Sequence, residues 1–92
     1  MASQNKSKTE QTLPKWFRGE IYKEGETVTN PFSGESYELT GVELSLYDFI
    51  IGCQMVFDSV PNSMTSKRIE EFQKALMWFR KNNPEAYYVL LD

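Results

Sequence analysis

The chain of 92 residues contains no histidine and only one cysteine, Cys53. Without histidine it cannot form a Ser-His-Asp or Cys-His catalytic set, a His-ligated zinc or haem site, or an imidazole pH switch. A single cysteine excludes an intrachain disulfide and a cysteine-cluster metal site. Four prolines and five glycines are too few for a linker or a collagen-like chain. These absences exclude several large classes of enzyme and metal protein.

The chain also lacks the loops and clusters that bind phosphates or metals. It contains no GxGxxG or GxxxxGK[ST] segment and no EF-hand spacing. No spacing holds two acidic side chains together, as acid–base catalysis in a cleft requires; the adjacent Glu70 and Glu71, for example, diverge by about 100° on a helix. Cys53 lies in an apolar helical pattern and is predicted to be a buried, inert thiol. We therefore predict no catalytic residue, no cofactor, no metal and no enzyme activity.

The beginning of the chain is polar. Residues 1–12 include no apolar run of the kind found in secretion signals. Nothing in this segment offsets the entropy cost of ordering it, so we expect residues 1–12 to be a disordered tail and residues 13–92 to form one domain. A free cysteine without a secretion signal is typical of a reducing environment, and we expect an intracellular, cytoplasmic location.

Charge is segregated along the chain, although the net charge is only −3. Residues 1–18 carry four cations and one acid, residues 19–58 carry one cation and eight acids, and residues 59–92 carry five cations and four acids. Basic ends and an acidic middle attract one another within the chain or between copies. This distribution predicts no broad cationic face for nucleic acid or anionic lipid.

A β-hairpin is predicted in the first half of the chain. Residues 27–29 are β-branched throughout, and residues 36–39 alternate polar and apolar side chains. Pro31 and Gly34 provide the turn between them. Residues 20–22 are a candidate third short strand. Because a hairpin alone is marginal in water, this hairpin must pack on another element.

A long helix is predicted after the hairpin. Thr40 and Glu43 have the spacing of a capping box, in which each side chain binds the backbone amide of the other residue. We expect the helix to run from this cap to about Asp58. The loop that contains Pro61 ends it, because proline cannot continue a helix.

Two further helical segments are predicted. One runs from Thr65 or Ser66 to about Lys81. Asn83 and Pro84 then form the N-cap and first position of a C-terminal segment, which favours helix over strand for residues 84–91. The expected fold class is α+β, with a small antiparallel hairpin of two or three short strands packed on an αα-hairpin.

The first predicted helix carries two apolar stripes on nearly opposite sides. A monomeric surface helix needs one stripe, so this helix is expected to lie between two neighbours. Leaving the second stripe in water would forfeit roughly 1.5–3 kcal/mol for each large side chain. Coverage within the monomer and coverage by a second copy are both open. The wider stripe holds Leu46, Phe49, Ile50, Cys53, Val56, Phe57 and Val60, and the second stripe holds Leu44, Tyr47, Ile51 and Met55.

These features favour a small non-enzymatic protein-interaction or accessory protein, with self-association as one form of the interaction. The alternative is a nucleic-acid-associated module, because the aromatic-basic sequence Trp-Phe-Arg occurs at residues 16–18 and again at residues 78–80. Asp48 and Asp58 argue against a membrane span in the first helix. The candidate interaction residues are Leu44, Tyr47, Ile51, Met55, Trp16 and Trp78.

Overall fold

The α+β architecture predicted from the sequence is confirmed by a computed structural model that describes residues 11–91. Most of the predicted tail, residues 1–10, and Asp92 lie outside the described residues. The elements in chain order are β1 (Glu26–Thr29), β2 (Ser36–Leu39), α1 (Gly41–Ser59), a 3-10 helix (Pro61–Ser63), α2 (Ser66–Asn82), α3 (Pro84–Ala86) and a π-helix (Tyr87–Leu91).

The two strands form the predicted antiparallel hairpin, in which Val28 pairs with Tyr37. In residues 11–91 the sheet has these two strands alone, so the suggestion of a third strand at residues 20–22 is wrong. The backbone N–H of Tyr22 donates instead to the hydroxyl of Ser45 on α1, at 2.8 Å. This segment therefore contacts α1 and does not extend the sheet.

The two helices of the predicted αα-hairpin are confirmed, and each begins at a side-chain cap. The capping box is present, since Thr40 Oγ1 accepts from the Glu43 amide at 3.2 Å and Glu43 Oε1 accepts from the Thr40 amide at 2.9 Å. Thr65 caps α2 by accepting from the backbone N–H of Arg68. The C-terminal end of α1 contacts the beginning of α2 through an edge-to-face pair of rings, Phe57 and Phe72, whose centroids are 5.3 Å apart.

The C-terminal segment is helical, as its N-cap predicts. Asn83 Oδ1 accepts from the backbone N–H of Ala86 at 3.2 Å, and Pro84 occupies the first helical position. α3 then continues into the π-helix that ends at Leu91. The core lies where these elements meet, and its buried apolar residues are Leu39, Leu44, Leu46, Ile50, Cys53, Ala75, Phe79, Ala86 and Leu90.

A fully buried carboxylate joins three parts of the chain at the beginning of α1. Glu43 Oε2 accepts from the side-chain amides of Gln11, at 2.8 Å, and Asn83, at 2.7 Å, while its other oxygen caps the helix. Gln11 falls within the predicted tail, yet it is held here by its hydrogen bonds to Glu43 and Thr40. The packed region therefore includes at least one residue before position 13.

Candidate functional site

The second stripe of α1 changes from buried to exposed along the helix. Leu44 is 8% exposed, Tyr47 and Ile51 are half-buried, and Met55 is 64% exposed. Coverage within the monomer, one of the two possibilities left open by the sequence, therefore holds for Leu44 and does not extend to Met55. Leu44 is a core residue and is not available to a partner.

The covering elements are shorter than the helix that they cover. α1 has 19 residues and is therefore about 28 Å long. The hairpin turn and the C-terminal residues Leu90 and Leu91 reach this side of α1 around Tyr47 and Ile51. Met55 lies one helical turn beyond Ile51 on the same side. Its exposure follows from this difference in length.

The hairpin turn, α1 and the C-terminal segment together enclose a cleft of about 300 Å³, which we call the apolar cleft. It contains two of the predicted interaction residues, and Met55 lies next to it. The other lining residues come from the turn and from the end of the chain. The cleft is lined by Asn30, Pro31, Phe32, Tyr47, Ile51, Gln54, Leu90 and Leu91.

The turn at residues 30–35, which we call the Phe32 loop, is fixed by hydrogen bonds around Asn30. The Asn30 amide donates to the Glu35 carbonyl, and the Asn30 carbonyl accepts from Gly34, both at 2.8 Å. Asn30 Oδ1 accepts from the Phe32 amide at 2.8 Å, and Asn30 Nδ2 donates to the carbonyl of Val89 at 2.9 Å. Gly34 has φ = 80°, a conformation that favours glycine. Hydrogen bonds therefore hold the loop in its own conformation and also join it to the C-terminal segment.

Phe32 is 97% exposed at the tip of this loop. Exposed apolar residues are common singly, but this one lies on a fixed loop at the border of the apolar cleft. Aromatic side chains, phenylalanine among them, are enriched in the cores of protein interfaces. Phe32 lies in the turn predicted around Pro31 and Gly34 and was not among the predicted interaction residues. An aromatic residue in a turn that contains proline and glycine was the sequence feature that could have indicated an exposed anchor.

A second surface, the basic-aromatic groove, brings Trp16 and Trp78 together. The groove has a volume of about 490 Å³. The sequence named Trp16 and Trp78 as separate candidate residues, and the structure places Trp78 beside the Trp16 segment. The Trp16 ring also contacts Phe49 of α1, with centroids 5.9 Å apart. The groove is lined by Pro14, Trp16, Lys74, Met77, Trp78, Lys81 and Asn82.

The two lysines of this groove were not predicted. Lys74 and Lys81 are seven residues apart on α2, a spacing that puts them on the same side of a helix. Met77 lies between them and is 64% exposed. Lys74 is 3.7 Å from Glu70 in an exposed ion pair, which is the one ion pair within residues 11–91. The seven-residue spacing was the signal that could have identified this pair of cations.

Cys53 lies away from both surfaces, in the core between the helices. It is 2% exposed. Burial raises the pKa of the Cys53 thiol above its ordinary value, although the neighbouring Arg68 acts in the opposite direction. A raised pKa and a buried position both disfavour the reactive thiolate. The geometry supports the predicted structural role of this residue.

Residues 11–91 contain no cluster of three or more cysteine or acidic side chains suited to a metal ion. None of the helices described is both long enough and apolar enough to span a membrane. A comparison with family models, curated proteins and solved structures finds no match to this chain. The geometry of the apolar cleft and of the basic-aromatic groove is therefore the basis for a functional proposal.

Proposed function

We propose that this chain is a small, non-enzymatic protein-interaction or accessory protein. It contacts another protein through the Phe32 loop and the adjoining apolar cleft. The observation that carries this proposal is the 97% exposure of Phe32 on a loop that hydrogen bonds hold in place. The free thiol of Cys53 supports a reducing, cytoplasmic setting for this interaction.

The energetics favour Phe32 as an anchor. Moving a phenylalanine side chain from water into a packed interface stabilises the complex by roughly 1.5–3 kcal/mol. Ordering a flexible loop on binding would oppose this gain, but here Asn30 fixes the loop before any partner is present. The anchor is therefore available without a large additional entropy cost.

Neighbouring side chains extend the anchor into a larger apolar surface. Ile51 lines the cleft, and Met55 continues the same side of α1 at 64% exposure. A central aromatic residue surrounded by other apolar contacts is the usual composition of an interface core. Tyr47, Ile51 and Met55 keep the interaction role that the sequence predicted for them.

Site-specific photo-crosslinking tests this proposal. A benzophenone amino acid is placed at Phe32 or Met55, and, as a matched control, at Ile21, which is 66% exposed and lines neither surface. We expect discrete adducts in the native cell from positions 32 and 55 and none from position 21. Equal adducts from all three positions, or none from position 32, would contradict the proposal.

A nucleic-acid-associated module is the second candidate function, and one observation favours it. The basic-aromatic groove places Trp16 and Trp78 beside Lys74 and Lys81, and single-strand binders combine aromatic rings with cations in this way. The net charge of −3 and the acidic hairpin oppose phosphate binding. Tryptophan fluorescence during titration with single-stranded oligonucleotides at low salt separates the two functions. The protein-interaction proposal expects no change.

A further inference from the structure

The Phe32 loop and the basic-aromatic groove have complementary charges. Glu35 belongs to the loop, and Glu38 is exposed on the adjoining strand. Lys74 and Lys81 line the groove, and the exposed Arg80 is their neighbour on α2. Within residues 11–91, the acids of the hairpin have no cation within ion-pair distance. Lys81 has no acid within ion-pair distance in the same residues, and Lys74 is paired only with the exposed Glu70, so each surface presents charge that the other could neutralise.

The two surfaces also match in their apolar parts. The groove contains two tryptophan rings and an exposed methionine, and its volume of about 490 Å³ falls in the range of pockets that enclose a ligand. A phenylalanine ring that enters it can pack edge-to-face on the indoles of Trp16 or Trp78. Phe32 provides such a ring at 97% exposure, between the acidic hairpin strands.

We propose that the Phe32 loop of one copy of this chain inserts into the basic-aromatic groove of a second copy. This inference rests on the proposed function and names its partner. The contact is between molecules, because the loop and the groove share no lining residue: Phe32 borders the cleft with Tyr47 and Ile51, whereas the groove lies between α2 and the Trp16 segment. The acidic hairpin of one copy then attracts the basic residues of α2 in the other copy.

Charge selects this arrangement over a symmetric one. Two apolar clefts facing each other would bring two Phe32 loops, each with a Glu35, to one interface whose lining contains no cation, and like charges across an interface are unfavourable. A loop-into-groove contact pairs acids with lysines. Such a contact uses different surfaces on the two copies, so each copy keeps one free surface. Assembly therefore continues into a ring or a filament.

Complementary variants test this geometry. Phe32→Ser removes the inserted ring, and the double substitution Lys74→Glu with Lys81→Glu reverses the charge of the groove; all three side chains are exposed, so the fold should persist. In sedimentation velocity at low salt, we expect wild-type protein to form species larger than dimers as concentration rises. Phe32→Ser should weaken association by about 30-fold or more, as loss of an aromatic anchor does. The groove variant should behave similarly.

Mixing the two variants distinguishes the loop-into-groove contact from other contacts. The groove of Phe32→Ser and the loop of the groove variant are both intact, so a 1:1 mixture should form a dimer and no larger species. Ile21→Ser is the matched control, because Ile21 is exposed and lines neither the cleft nor the groove, and it should leave association unchanged. A symmetric interface through the apolar cleft would instead leave the groove variant associated as strongly as wild-type protein, and mixing would restore nothing.

The outcomes separate this inference from the proposed function. Wild-type protein that stays monomeric at every concentration, or a variant mixture that stays monomeric, overturns the loop-into-groove contact. If position 32 then still crosslinks to a different protein in the cell, the proposed function stands alone. If position 32 gives no adduct either, both proposals fall. Binding of a single-stranded oligonucleotide that Lys74→Glu with Lys81→Glu abolishes would assign the groove to nucleic acid and also overturn the inference.

Discussion

The two halves of α1 have similar apolar content but different surroundings. In the first half, Leu46 and Ile50 are completely buried, and the buried Glu43 is bonded to three other residues. In the second half, the adjacent residues Met55 and Val56, about 100° apart on the helix, are both exposed. The first half therefore holds the fold together, while the second half, with the Phe32 loop beside it, provides surface for an interaction. Substitutions should affect stability in the first half and association in the second.

The largest loss of stability is expected for Glu43→Ala. The substitution removes the buried carboxylate that accepts hydrogen bonds from Gln11, Thr40 and Asn83. Each buried donor left without a partner costs about 1–3 kcal/mol, so we expect unfolding free energy to fall by at least about 3 kcal/mol in urea titrations. Glu35→Ala, at an exposed position, is the control and should change stability by less than about 0.5 kcal/mol. A loss below about 1 kcal/mol for Glu43→Ala would show that this carboxylate does not join the three segments.

A matched pair of apolar truncations compares the two halves directly. Ile50→Ala opens a cavity in the core and should reduce the free energy of unfolding by about 2–5 kcal/mol. Met55→Ala removes a side chain that is 64% exposed and should change it by less than about 0.5 kcal/mol. Chemical denaturation of dilute protein measures both. Similar losses at the two positions would mean that the second half of α1 is covered in the monomer.

Substitutions at the two helix caps should lower the free energy of unfolding by smaller amounts. Thr40 Oγ1 caps α1 and also donates to Gln11 Oε1 at 2.9 Å, whereas Thr65 makes a cap hydrogen bond at an exposed site. Loss of an N-cap hydroxyl costs about 0.5–2 kcal/mol. Thermal and urea unfolding should place Thr40→Ala near the upper end of this range and Thr65→Ala near the lower end. The reverse order would argue against the contact with Gln11.

The smallest expected effect is a pH dependence of stability at Tyr37. Burial, and then the negative charge of Glu85, raise the pKa of the Tyr37 phenol above its ordinary value. The folded state therefore retains this proton more strongly than the unfolded chain does. The stabilisation is fully present below about pH 10, the ordinary tyrosine pKa, and is lost as the pH rises through the raised pKa. Tyr37→Phe should flatten the decline in unfolding free energy above pH 10, and an unchanged profile would contradict this assignment.

Elements with local determinants were predictable from the sequence. The capping box needs only Thr40 and Glu43 three residues apart, and the hairpin needs β-branched and alternating residues around a turn. The contacts of Glu43 with Gln11 and Asn83 could not be predicted. They are made by side-chain amides, and the partners lie 32 and 40 positions away in the sequence. A local pattern carries no information about such pairings.

The candidate site was predictable in part for the same reason. Helical spacing identified the second stripe, but the length of the elements that cover it decides that Leu44 is buried and Met55 is exposed. Trp16 and Trp78 were named separately, and only the packing of the Trp16 segment beside α2 shows that they share a groove. Phe32 was overlooked because a turn residue has no helical or strand periodicity by which to judge its exposure.

Hydroxyl-radical footprinting of the side chains tests the contrast between the two halves of α1 most directly. After correction for intrinsic reactivity, dilute folded protein should be modified rapidly at Met55 and Phe32 and hardly at all at Leu44 and Ile50, in keeping with their exposure. Modification of Leu44 as fast as that of Met55, or protection of Phe32 in the dilute monomer, would contradict the account.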